Sequence, residues 1–296
     1  MRTPPQPAWS AAPGAGFTLG EMMVAIGVFS ILLIGGLQLF SMHSRAYHDQ
    51  QQVRMLQQNL RVAIDTMSRD LRMAGYGLPI SNHELATWLP GWTSNPLIVS
   101  GTAGAPDSIA TASALGDEVA TLQAPAPAGA QVLVLNAGQA ALFNTTNRRL
   151  LYVGRHELAR VLAVSGDTLT ISTDPSSGSA GLTHPHAASS IVERIACIRY
   201  TIQAATSSFP HQSYLAREEM TASPTQFWPY MVAGHIDDLQ ISNGLHTVTI
   251  QLRGRTAEPL RARRTSATND FARLTVATEV IPRNSPALCL QNIGNP

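Results

Sequence analysis

The sequence predicts an α+β fold, a long N-terminal helix packed on a mainly antiparallel β-sheet domain. Three observations carry it. Met22 to Met42 forms a run of about 21 residues without a charge, Val53 to Ala74 keeps an apolar stripe at helical spacing, and the remainder breaks into short strand-like runs between turn signals. The chain has 296 residues, 44% hydrophobic, 13% charged and 6% aromatic, which is enough apolar material for one or two cores.

In chain order, residues 1–16 (MRTPPQPAWSAAPGAG) are rich in Pro, Ala and Gly and cannot extend a helix, so they read as a leader. The run that follows, MMVAIGVFSILLIGGLQLFSM, is too long for an ordinary secretory signal and long enough to cross a bilayer, so 22–42 is expected to be transmembrane. Glu21 stands at its edge, where an unpaired carboxylate is costly in lipid; it needs either a cationic partner or the water interface. Gly27, Gly35 and Gly36 leave close packing, bending and simple lipid tolerance equally open.

Beyond Ser44 the chain turns polar without losing period. Val53, Leu56, Leu60, Ile64, Met67, Leu71 and Ala74 make one stripe, with Asp65 and Arg69 four residues apart on the polar side. Gly75, Gly77 and Pro79 stop the helix. Phe17 to Ala74 as one helix is about 58 residues, or ~87 Å at 1.5 Å per residue.

Residues 75–296 form the expected globular β-rich domain. Strands are predicted at 131–135, 150–153, 158–164, 168–172, 191–202, 236–241, 247–253 and 274–281, with a hairpin at Ser165-Gly166-Asp167 and one buried face along Thr247–Leu252. Two stretches, Leu78 to about Gly129 and Pro175–Ala188, read as irregular.

Composition excludes several functions. The net charge of +1 argues against a bulk polyanion binder, and every basic residue is Arg, which removes Schiff-base and P-loop lysine chemistry. No hydrolase, zinc-protease, Walker or dinucleotide fingerprint is present, so the chain is read as a non-enzyme with no catalytic residues, no cofactor and no metal. His184-Pro185-His186 lacks further ligands and is expected to be a solvated loop. Glu218-Glu219 and Asp237-Asp238 sit beside strands, where neighbouring side chains diverge, and are expected at solvated strand ends. Arg253, Arg255, Arg261, Arg263, Arg264 and Arg273 are a basic cluster with only Phe271 nearby for stacking; a solvated loop or an acidic protein neighbour suits it better than nucleic acid. Trp88, Trp92 and Trp228 suit core or loop packing, with interface anchoring as the alternative. In an exported chain Cys197 and Cys289 are natural disulfide partners, closing a loop of about 90 residues; two unpaired core thiols are the alternative.

Gly16-Phe17-Thr18-Leu19-Gly20-Glu21 and the apolar run after it resemble the N-terminal signal of type IV prepilins. The resemblance implies cleavage between Gly16 and Phe17 by a prepilin peptidase, N-methylation of Phe17, and pairing of Glu21 with the terminal amine of an adjacent subunit. Gly20 departs from the branched aliphatic or proline usual there, and the leader carries only Arg2. Arg45, Arg54 and Arg61 on the far side would favour the opposite orientation by charge alone, and the motif overrides them. Arg69–Gly77 resembles the helix end of PilW-type minor pilins, Tyr214–Glu218 and Leu274–Asn284 resemble two of that family's strands, and Val232–Ile241 resembles its Val-x-Asp-Leu-x-Val segment. The resemblance implies a type IV pilin-like fold and a minor pilin that primes type IV pilus assembly, stored in the inner membrane with a periplasmic head and then incorporated in the filament or its tip. Its implied partners are the peptidase, the assembly platform, companion minor pilins and the major pilin. Pseudopilin J of type II secretion is the alternative, and a membrane-anchored adhesive or DNA-binding module ranks below both.

Overall fold

The computed structural model describes residues 18–78, 88, 96–146, 149–176, 178–204, 213–220, 227–244, 247–260 and 271–282. One helix, α1 (Leu19–Arg72), runs through 54 residues, about 81 Å at the α-helical rise, with no break at its glycines. The predicted helix is thus present, ending two residues earlier than expected. The chain turns at Met73–Gly77, where Gly75 and Gly77 take φ of 76° and 69°. At Gly77 the fold demands glycine twice over, because a Cβ there would also lie 2.6 Å from the Cβ of Ala114.

Among the described residues twelve strands follow: β1 (Leu97–Ser100), β2 (Ser108–Thr121), β3 (Val132–Val134), β4 (Leu150–Val153), β5 (Glu157–Ser165), β6 (Thr168–Ser172), β7 (Ile191–Gln203), β8 (Tyr214–Met220), β9 (Phe227–Gly234), β10 (Ile236–Asn243), β11 (Val248–Arg255) and β12 (Arg273–Val280). They form a nine-stranded sheet, β1-β2-β7-β4-β5-β6-β3 with β8 and β9 branching from β7, and a three-stranded sheet, β10-β11-β12; every pairing is antiparallel. The long β7 organises the larger sheet. One of its edges carries β2 from Ile191 to Tyr200, while the other is shared between β4 at Val192–Arg194 and β8 at Ile198–Gln203.

All eight predicted strands are present. The hairpin at 165–168 closes through two residues, with Gly166 supplying the positive φ of 57°. Along β11, Val248, Ile250 and Leu252 are buried while Gln251 and Arg253 face out, as the alternation predicts.

The irregular region expected from Leu78 to Gly129 is a correction. It holds β1 and the 14-residue β2, a central strand of the large sheet. Ile109 enters the core around α1 and Ala112 the core on the opposite face, so β2 is covered on both sides and its small Ala, Ser and Thr residues show no alternation. The strand β9 was also unforeseen: Pro229 argues against a strand, and it is tolerated here because β9 is an edge that pairs only with β8.

Three cores result. The first surrounds the second half of α1 and draws on both sheets, through residues such as Tyr200, Leu215, Leu239 and Leu252. A second fills the lobe of β3–β6 and contains no α1 residue. The third, with Trp88, Tyr152 and Cys197, covers the other face of β2, β4 and β7.

Candidate interaction helix and its anchorage

The helix begins with a reciprocal cap. Thr18, extended at φ −74° and ψ 150°, accepts the Glu21 N–H on its Oγ1 at 3.2 Å. The Glu21 Oε2 in turn accepts the Thr18 N–H and the Thr18 hydroxyl, each at 3.0 Å. This capping box satisfies helix donors that otherwise have no partner, and the acidic charge sits at the positive end of the helix dipole. Sequence reading assigned Glu21 a charge-pairing role and overlooked the cap, although Thr-x-x-Glu is its ordinary signature.

No α1 residue before Gln52 is buried. Leu19 is 81% exposed, Ile31 72% and Phe40 74%, so the whole apolar half stands free of the chain's own core. Such an area of exposed apolar side chains is unstable in water and calls for lipid or another protein. Its two serines are satisfied within the helix, since Ser30 donates to the Ile26 carbonyl at 2.7 Å and Ser41 to that of Gln38 at 2.8 Å. The segment is apolar and long enough to cross a membrane. Apart from the adjoining backbone of the helix itself, none of the described residues lies within 4 Å of where a Cβ would sit at Gly27, Gly35 or Gly36.

The second half is seated firmly. Leu56, Leu60, Ala63, Ile64, Met67 and Leu71 are buried, and Ala74 closes the stripe; Val53 at its upper end is only half-buried. Asp65 pairs with Arg61, at 4.0 Å, rather than with the expected Arg69. That pair is exposed and contributes little.

Near the end of the helix the stripe is reinforced by a buried polar cluster. The Asp70 Oδ2 accepts the Tyr200 hydroxyl at 2.7 Å and the Arg217 Nε–H at 2.8 Å, tying α1 to β7 and β8 at once. Burial pushes the Tyr200 phenol well above its ordinary range, and the Asp70 carboxylate adds to the rise. Arg217 is half-buried, yet its guanidinium is held more strongly charged than usual because Asp70 and Tyr200 outweigh the desolvation. Asp70 and Arg217 lie 147 positions apart, and their meeting was not foreseen. Below them the Gly75 N–H donates to the Ala112 carbonyl at 2.9 Å and the Ala114 N–H to that of Tyr76 at 2.7 Å, which pins the turn to β2.

The other sequence candidates fall as follows. Gly16, Phe17 and Cys289 lie outside the described residues, as do Trp92, Arg261, Arg263, Arg264 and the side chain of Trp228. Among the described residues Cys197 is a buried thiol without a disulfide partner, and desolvation pushes its pKa up to about 12. Trp88 is buried in the third core. His186 is not solvated: it is buried beside Glu157, with Nε2 3.4 Å from Oε2. Glu157 also accepts the Thr183 N–H and hydroxyl and the His184 N–H, and these bonds hold its carboxyl below the usual range despite burial. Glu218 is likewise buried, correcting the solvated placement; it takes Arg199 at 2.6 Å while Glu219 takes Arg194. Asp237 and Asp238 engage Arg255 and Arg253 separately, at 3.4 and 3.3 Å, so two of the basic cluster are neutralised within the sheet. Among the described residues no group of His, Cys, Asp and Glu is arranged to hold a metal.

Comparison with known protein families, curated proteins and solved structures returns no match.

Proposed function

We propose that this chain is a minor pilin of the PilW type, a subunit stored in the inner membrane through α1 and then built into a type IV pilus or its tip, where it primes assembly. One observation carries the reading. A single continuous helix is bare and apolar from Leu19 to Met42, then seated in two sheets from Leu56 to Leu71, and it begins directly after the Gly16-Phe17 step. A helix of this kind gives one surface two uses, first against lipid and then against neighbouring helices. Its rigid seat means that helix packing would position the whole β-sheet head.

In this reading the peptidase cuts after Gly16, Phe17 becomes the methylated terminus, Glu21 supplies the charge that meets a neighbour's amine, and the head faces companion minor subunits. The test is a strain lacking the gene, scored for major pilin in sheared surface filaments and for secreted exoproteins in the same culture. Lost filaments with normal secretion support the reading. Intact filaments with blocked secretion would move the chain to pseudopilin J.

A further inference from the structure

An edge strand offers a row of unpaired backbone donors and acceptors, and folded proteins guard such rows by shortness, proline, bulges or a covering loop. Among the described residues the two sheets end in five strands, β1, β3, β9, β10 and β12. Four of these are guarded. Strands β1 and β3 have only four and three residues. Strand β9 carries Pro229 and a register shift opposite Leu215 and Ala216. The outer side of β10 is covered by the turn before β2, where the Asp107 N–H donates to the Leu239 carbonyl and the Asp107 Oδ2 accepts the Ile241 N–H, each at 2.7 Å. Strand β12 has none of these devices. Its eight residues include no Pro or Gly, it pairs with β11 along its whole length without a register shift, and among the described residues no strand lies on its other side.

The side chains of β12 are also left incomplete. Leu274 and Val280 pack into the core around α1, yet Val276, between them on the same face, stays 38% exposed. On the opposite face Arg273, Thr275, Ala277 and Glu279 are all exposed. Arg273 stands opposite Arg255 in register, a like-charge pair, and Arg255 is already engaged by Asp237 at 3.4 Å and by the Phe271 ring at 5.3 Å. Glu279 stands opposite the uncharged Thr249. Among the described residues neither Arg273 nor Glu279 has an ion pair. An added strand carrying an acid and a base six residues apart would answer both.

We propose that β12 is a docking edge for an antiparallel strand from a different polypeptide chain, with an acid opposite Arg273, a base opposite Glu279 and apolar side chains opposite Leu274 and Val276. Such a strand would satisfy the open backbone row and cover Val276. The antiparallel direction follows the pairing of β12 with β11 and is the more stable of the two per residue. A second copy of β12 would present the same two charges, but the twofold axis that pairs a strand with itself stands normal to the sheet. It would reverse α1, which packs on that sheet. With α1 in a membrane, as proposed above, two copies so joined would point their apolar halves in opposite directions. Failure of the docking edge would leave the pilus reading standing, since that reading rests on α1.

The experiment is fluorescence polarisation with the detergent-solubilised full chain and two labelled, end-blocked peptides, Lys-Val-Thr-Ile-Thr-Val-Glu and its charge-reversed form Glu-Val-Thr-Ile-Thr-Val-Lys, at low salt. Saturable binding is expected, with the first peptide preferred on the order of tenfold, because two cross-strand charge pairs change sign between the peptides. The double variant Arg273→Glu with Glu279→Arg alters only exposed side chains and should reverse that preference. Strand addition has a further signature: of two forms of the first peptide N-methylated at alternate amides, the one blocked on the side facing β12 should fail to bind while the other binds. Absence of saturable binding, equal affinity for both peptides, no reversal in the double variant, or indifference to which amides are methylated would overturn the docking edge. Binding that emerges only when residues 283–296 are removed would assign the edge to the chain's own C-terminal residues, and self-association of the chain that the first peptide dissolves would assign it to a second copy; either result overturns the proposal.

Discussion

Asp70→Ala tests how the helix is held. The substitution removes the acceptor of two hydrogen bonds, from the Tyr200 hydroxyl and the Arg217 guanidinium, at a site where the Asp70 side chain is only 10% exposed. Breaking a fully buried ion pair costs about 3–5 kcal/mol because the remaining charge is stranded. Arg217 keeps 27% of its side-chain exposure, and water reaching it lowers that penalty, which places the expected loss at about 3 kcal/mol. For a head of this size that is a fall in Tm of roughly 6–12 °C. Circular dichroism melting of the solubilised chain reads it directly. Arg217→Met should also destabilise, and the double variant should lose less than the sum of the two, with a coupling of about 1–3 kcal/mol. A shift below ~1 °C for Asp70→Ala, or strict additivity in the cycle, would refute the claim that this cluster ties α1 to β7 and β8.

Three further outcomes are expected. The Tyr200 phenol titrates higher in the folded chain than in the unfolded one, so its stability contribution is complete below about pH 10 and is lost as pH rises beyond it, when the unfolded state releases the proton first; Tyr200→Phe should flatten the alkaline limb of a stability-versus-pH curve, and an unchanged limb would contradict the assignment. Cys197, buried with a pKa near 12, should resist iodoacetamide at pH 8 in the folded chain, and mass spectrometry showing its rapid native alkylation would place the thiol at the surface. Gly154→Ala should destabilise by at least about 1–2 kcal/mol in urea titration, since φ is 59° and a Cβ would lie 2.6 Å from the His186 Nδ1; a neutral result would show that the His186 loop yields freely.

Legibility in the sequence followed how each element is buried. The seated half of α1 has one dry face, so Leu56, Leu60, Ile64, Met67 and Leu71 announced it by spacing, and β11 announced itself by alternation for the same reason. Strand β2 was hidden because both of its faces are covered and its side chains are small, leaving hydrophobicity without a period. The polar placements failed for a related cause. Glu157, Glu218 and His186 look like surface residues in isolation, and what buries them are partners at Thr183, Arg199 and Glu157 that lie 19 to 29 positions away. Asp70 and Arg217, 147 positions apart, could be joined only by the sheet that brings β8 against the helix.

Glu21 is where the cap and the proposed assembly role compete, and two substitutions separate them. Its Oε2 is engaged by Thr18, so within one chain the carboxylate acts as a helix cap. Glu21→Ala removes cap and charge together, and loss of the subunit from filaments would follow from either. Glu21→Gln keeps an oxygen that can accept the Thr18 N–H while abolishing the charge. If a neighbour's amine is the partner, that amine becomes an unpaired charge in an apolar helix bundle, a cost of several kcal/mol that a cap cannot offset. Both variants should then accumulate in the membrane and be missing from sheared filaments, with leader removal after Gly16 checked by mass spectrometry. Normal recovery of Glu21→Gln beside loss of Glu21→Ala would mean that the glutamate serves the helix end alone, and the charge-pairing role would have to be abandoned.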